Sequence, residues 1–203
     1  MPETNPLGDV REYERVVVLA VDLSGSFLDL MAEKGKAWEM LLRVIDRYLR
    51  GNGHEKLILV QLSAAGTEPM LWDGSPVQLR KDFPDREAFR RFLLHKANPA
   101  GSRLHDSITS SLEYVATLTG TNAKTKRVLC CLSDFDDNQS SAGSEQRLIQ
   151  ALSAFGKQNG AVGFYFLDHH RVAGWRANLK AAGVKNYVVE SQIVTSPTLP
   201  SFD

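Results

Sequence analysis

Val16-Val17-Val18-Leu19-Ala20-Val21-Asp22-Leu23-Ser24-Gly25-Ser26 is the stretch on which the fold turns. Its first six residues are apolar without a break, and most are β-branched. A strand with one wet face would alternate apolar and polar, whereas a run without alternation fits a strand buried on both faces, as in a parallel sheet. The run stops abruptly in polar, turn-forming residues. Apolar runs of the same kind recur at Leu57–Leu62, at Val128–Leu132, which also ends in polar residues (Ser133-Asp134), and at Val162–Leu167.

Between these runs the period changes. Trp38, Leu41, Leu42, Ile45 and Leu49 recur at helical spacing, and Gly51-Asn52-Gly53 follows as a stop. Further helices are predicted over Asp85–His95, from Leu104 through Leu118, over Ser144–Lys157 and over Val172–Ala182, with Asn98-Pro99-Ala100-Gly101 as a loop. A short edge strand is predicted over Val77–Leu79 and a last strand over Tyr187–Val189. Strands alternating with helices predict a Rossmann-like, doubly wound α/β fold with a mainly parallel sheet covered on both faces. Right-handed crossovers then bring all carboxyl ends of the parallel strands to one edge, where such folds bind ligands. The chain divides into an N-terminal extension (1–14), one domain (15–190) and a tail (191–203), flexible or docked, with prolines at Pro197 and Pro200.

Composition narrows the function. Lys plus Arg and Asp plus Glu each number 24, so the net charge is zero, which argues against a general nucleic-acid binder. No apolar run is long enough to span a bilayer, and the start lacks the apolar core of a signal peptide. Cys130 and Cys131 are neighbours in a strand, point to opposite faces and are poorly placed to bond to each other. Free thiols suit a reducing compartment, and the expectation is a cytoplasmic protein.

The predicted ligand edge gathers oxygen. Asp22, Ser24 and Ser26 follow the first strand, Ser102 lies in the loop opening the helix at Leu104, and Asp134 follows the Val128–Leu132 strand. Residues two apart in an extended segment share a face, so Asp22, Ser24 and Ser26 point the same way. Oxygen donors without sulfur or nitrogen suit a hard cation such as magnesium or manganese; zinc would be better served by His and Cys. Two carboxylates neutralise a divalent ion, the hydroxyls add contacts without charge, and a coordination position left open would favour an incoming carboxylate.

With these residues in place, the sequence resembles the von Willebrand factor A (VWA) family over about Arg15 to Glu190. The family's metal-ion-dependent adhesion site is read in Asp22-Leu23-Ser24-Gly25-Ser26, Gly101-Ser102 and Leu132-Ser133-Asp134. The resemblance implies that Ser24 and Ser26 coordinate the ion directly, and Asp22 and Asp134 directly or through water. It also implies a partner protein that supplies a Glu or Asp carboxylate, and no catalysis. Two positions depart from the family pattern. Ser102 stands in place of a Thr, which keeps the hydroxyl and loses the methyl that restricts it. Phe135, followed by Asp136 and Asp137, stands where Gly is usual.

Other polar residues have ordinary readings. Asp136 and Asp137 read as a solvated turn, and His169 and His170 as surface residues. Asp106 either supports Ser102 by hydrogen bonds or sits exposed in a first helical turn. Trp38, Trp72 and Trp175 read as packed or half-packed, with Trp72, beside Asp73-Gly74, the one to watch as exposed contact surface. The alternatives to a binding module are a metal-dependent hydrolase or phosphotransferase using Asp22, and a metal-independent assembly scaffold. A phosphoaspartyl enzyme would need a second carboxylate where Ser24 stands, a serine hydrolase a Gly-x-Ser-x-Gly elbow, and a nucleotide hydrolase a phosphate-binding loop; none is present.

Overall fold

The computed structural model describes residues 12–49, 53–62, 69–97, 101–137 and 140–201. The sequence readings at residues 1–11, 51–52, 64–68, 98–100 and 138 lie outside them. The chain runs β1 (Arg15–Val21), a 3-10 turn (Leu28–Met31), α1 (Lys36–Tyr48), β2 (Glu55–Gln61), β3 (Met70–Gly74), α2 (Pro76–Asp82) and α3 (Arg86–His95). It continues through α4 (Leu104–Thr117), β4 (Lys126–Leu132), α5 (Ser144–Lys157), β5 (Gly160–Leu167), α6 (His169–Ala181) and β6 (Asn186–Ser191).

The strands form one six-stranded sheet in the order β3-β2-β1-β4-β5-β6, parallel throughout except for β3, which runs antiparallel to β2. This is the doubly wound α/β architecture that the continuous apolar runs predict. Alternate residues of β1 feed two cores. Val16, Val18 and Ala20 pack with Leu104, Ile108 and Leu112 of α4, Leu148 and Leu152 of α5, and Trp175 of α6. Val17, Leu19 and Val21 pack with Trp38, Leu41 and Val44 of α1 and with Phe89 and Leu93 of α3. Cys131 joins the first core and Cys130 the second, on the opposite faces expected of neighbours in a strand.

Two local predictions are corrected. The edge strand is β3, at Met70–Gly74, and Val77–Leu79 lies inside helix α2. Ser75 accepts a hydrogen bond from the Gln78 N–H at 3.2 Å and Pro76 takes the first helical position, a strong start signal. Helix α6 begins at His169 rather than Val172, because the Asp168 carboxylate caps it by accepting from the His170 N–H at 3.0 Å. Trp72 is half-packed as the sequence suggests: its Nε1–H donates to Asp82 at 2.9 Å and its ring meets Phe83. The tail is docked, and Leu199 packs against the α1-side core.

Candidate metal centre

The site lies where the winding of the sheet reverses. From β1 the chain moves to β2 on one side and returns through β4 on the other. The helices after β1 and β4 therefore leave on opposite faces, and a crevice opens between these two strand ends. The ends are held in register: the Asp22 N–H donates to the Leu132 carbonyl at 2.8 Å, and the Leu62 N–H to Val21 at 3.0 Å. The third loop is tied in by the Arg103 N–H, which donates to the Leu62 carbonyl at 2.8 Å. Ser102 is thereby fixed beside β1 by the last residue of the β2 run.

These constraints bring together the five side chains singled out from sequence. Asp22 is fully buried, and its Oδ1 accepts from the Ser24 N–H at 2.8 Å. The Ser102 hydroxyl reaches the same carboxylate at 3.2 Å from Oδ2. The Ser24 and Ser26 hydroxyls are 3.4 Å apart, and Ser26 donates to Asp134 Oδ2 at 3.3 Å. Asp22 and Ser102 form a buried floor, Asp134 is half-buried, and Ser26 is exposed at the mouth. Side-chain oxygens from three loops thus lie in one hydrogen-bonded cluster, buried at Asp22 and exposed at Ser26. Two carboxylates with hydroxyl and water oxygens form a donor set suited to magnesium or manganese. The residues present fit such an ion.

Ser133 is a site residue that sequence reasoning passed over. Its buried hydroxyl donates to Asp22 Oδ2 at 2.8 Å and accepts from the Phe135 N–H at 2.9 Å, coupling the first loop to the third. Its adjacency to Asp134 was the only signal in the sequence.

Phe135 holds a backbone conformation that suits glycine. Its φ is 61°, in the left-handed region that side chains disfavour by roughly 1–2 kcal/mol. Burial offsets that strain: the ring is 1% exposed, and its centroid lies 4.8 Å from Phe164 and 5.2 Å from Trp175. Arg171 on α6 closes the clamp, donating to the Phe135 carbonyl at 2.9 Å and to Asp136 at 2.7 Å. The first loop has a similar wedge, since Phe27 meets the ring of Phe166, another left-handed phenylalanine.

The extra acids have ion-pair partners of their own. Asp136 pairs with Arg171, as a solvated turn residue can, but Asp137 is half-buried and lies 2.7 Å from His105 Nδ1. Burial alone would raise the Asp137 pKa, and the hydrogen bonds from His105 and Ser140 outweigh it, so the carboxyl is held below its ordinary range. Asp106 accepts from Arg103 at 3.0 Å, Arg147 at 2.8 Å and the Ser141 N–H at 3.0 Å, which ties the β4–α5 loop to the start of α4. Neither of the two sequence readings of Asp106 describes that role. Asp168, His169 and His170 cluster on the surface at the start of α6, where Asp168 serves as the cap.

No family model matches the sequence, and no curated protein matches it at a significant level. Solved structures do. The chain is similar to the SpRpn10 VWA domain, with a TM-score of 0.56 and 12% identity over 90% of each chain. It is also similar to proximal thread matrix protein 1 from the mussel byssus (TM-score 0.48, 11% identity, 76% of this chain and 38% of that one). Human COPII-coat protein Sec24c gives a TM-score of 0.48 at 11% identity, over 90% of this chain and 30% of that one. The first of these establishes the architecture as that of a VWA domain, and at such identities the likeness is one of fold.

Proposed function

We propose that this chain is a protein-interaction domain that holds magnesium or manganese on Asp22, Ser24, Ser26, Ser102 and Asp134 and grips an acidic residue of a partner protein through it. The observation that carries this reading is the convergence of those oxygens at the sheet's switch point, from a buried floor at Asp22 to an exposed mouth at Ser26. When bound, the ion supplies a Lewis-acidic position that takes an anionic oxygen. Asp22 supplies negative charge from below, Ser102 and Ser133 hold that carboxylate in one orientation, and Asp134 supplies the second charge at the rim. One carboxylate cannot offset the ordering of two proteins, so the surface around Ser26 and Asp134 has to provide the remaining affinity.

An interaction role is favoured over a nucleophilic one because Asp22 is fully buried at the floor of the site, with Ser24 and not a second carboxylate two residues on. No lysine or histidine contacts that carboxylate among the described residues. Two buried free thiols suit a reducing compartment, and no described helix is long and apolar enough to cross a membrane.

The test is a magnesium titration followed by thermal denaturation. Magnesium at ten times its dissociation constant adds about 1.4 kcal/mol, or roughly 3–6 °C for a chain of this size. Wild type should show that rise and Asp22→Ala should not. An unchanged wild-type midpoint, or an equal rise in Asp22→Ala, would overturn the metal assignment.

A further inference from the structure

The tail lies in a groove that reads its backbone. After β6 the Gln192 N–H bonds the Leu167 carbonyl, and residues 197–201 follow with no regular secondary structure. Three side chains then donate to three carbonyls within Pro197-Thr198-Leu199-Pro200. Arg43 donates to Pro197 at 2.7 Å, Tyr165 to Thr198 at 2.8 Å and Tyr48 to Pro200 at 2.6 Å. Thr198 is held from the other side, its N–H and hydroxyl both donating to Glu190 Oε1 at 3.1 and 2.8 Å. The prolines bring no N–H that would need an acceptor on the groove wall.

The groove is built for this task. Phe166, at φ 71°, shifts the register of β5 against β6, so that Tyr165 and Phe166, although consecutive, both face the α1 side. Gly163 leaves room for Tyr165 to lie back along its strand, since a Cβ there would stand 2.6 Å from the Tyr165 hydroxyl. Tyr48 and Tyr165 are 2% and 1% exposed, and burial pushes both phenols well above their ordinary pKa, so they remain donors. A cleft of about 130 Å³ remains between Glu39, Met40, Arg43 and Phe166 on one side and Val194 and Pro197 on the other. The occupant seen here offers carbonyls at the spacing of an extended chain, and each of the three donors meets one of them. Aromatic grooves with hydroxyl donors are a recurring means of reading Pro-x-x-Pro segments.

We propose that the α1–β5 groove is a docking site for an extended Pro-x-x-Pro segment of a partner protein, occupied in the isolated chain by its own Pro197–Pro200. The site goes beyond the metal reading and stands without it. Because the cis segment is tethered beside the groove, it competes at an effective concentration on the order of millimolar.

The test uses the full chain and a fluorescent peptide, Val-Thr-Ser-Pro-Thr-Leu-Pro-Ser, with the sequence of residues 194–201. Pro197→Ala with Pro200→Ala weakens the cis competitor and leaves the groove unaltered, so the peptide should bind this variant at least about tenfold more tightly than wild type. Adding Tyr48→Phe should remove that gain, and a peptide with both prolines replaced by alanine should not bind. A folded double variant that binds no better than wild type, or that binds the alanine peptide equally well, would overturn the proposal. If the double variant does not fold, wild type is digested with carboxypeptidase, with and without about 1 mM peptide, a concentration comparable to the cis competitor. Faster release of the tail with peptide supports the proposal, and an unchanged rate overturns it. A dimer that forms through exchanged tails would assign the groove to a second copy and likewise overturn it.

Discussion

Replacing Phe135 with glycine and, separately, with alanine separates two opposing contributions at the third loop. The ring is buried against Phe164 and Trp175, and truncating a buried phenylalanine to alanine costs about 3–5 kcal/mol. The backbone at φ 61° pulls the other way. Alanine keeps a Cβ and the left-handed penalty of roughly 1–2 kcal/mol, whereas glycine removes it and loses about 0.5–1 kcal/mol through the freer unfolded chain. Phe135→Gly should therefore be the more stable of the two by about 1 kcal/mol, the reverse of the order found within helices and strands. For a chain of this size that difference is roughly 2–4 °C in midpoint. Urea denaturation without added metal measures it, provided both variants share one m-value. If Phe135→Ala equals or exceeds Phe135→Gly in stability, the left-handed backbone does not set the shape of this loop, and the explanation for its tolerance of phenylalanine fails.

Asp106→Asn tests the latch between α4 and the β4–α5 loop. Burial alone would raise the Asp106 pKa, but its hydrogen bonds to the Ser141 N–H, Arg103, Arg147 and the Ser141 hydroxyl bring it from 3.8 to about 2. A depressed carboxyl stabilises the fold above its unfolded pKa and loses that contribution as the pH falls through the folded value. Wild type should exceed Asp106→Asn by about 1 kcal/mol near neutrality once solvent screening is allowed for, with the gap closing between about pH 4 and pH 2; a gap independent of pH in urea titrations would refute this. Ser102→Thr should keep the magnesium-induced rise in melting temperature and Ser102→Ala should reduce it, and the opposite order would show that the Ser102 hydroxyl is not part of the site. Gly163→Ala should lower stability by about 1–3 kcal/mol, the usual range for overpacking, and make the tail more sensitive to carboxypeptidase; a stable variant with a protected tail would show that Tyr165 has another position available.

The parallel sheet was legible because strands buried on both faces leave an unmistakable mark, an apolar run without alternation, and β1, β2, β4 and β5 all carry it. The five oxygen-bearing residues were legible because three of them follow one strand at spacing two and the others open or close neighbouring elements. Strand β3 carried no such mark. Its residues Met70–Gly74 are all half-buried at a sheet edge, so neither alternation nor a continuous run appears. Helix α2 was misread although Ser75-Pro76 announces a helix start, because Val77 and Leu79 alternate with polar neighbours. Phe135 could be seen to depart from the family, but its compensation comes from Phe164 and Trp175, which are distant in sequence and meet it only after folding.

Cys130 and Cys131 sit in β4 between β1 and β5, one on each face of the sheet and both fully buried. Burial pushes both thiols far above their ordinary range, and at Cys131 the neighbouring Cys130 adds to it. An alkylating reagent therefore meets neither sulfur while the helices are seated, and the chain carries a clock in each of its two layers. Simultaneous modification would report a sheet that opens as a unit. Modification of Cys130 ahead of Cys131 would report that the layer of α1 and the tail lifts first, and the delay between the two would time the independence of the two halves without any probe added to the protein.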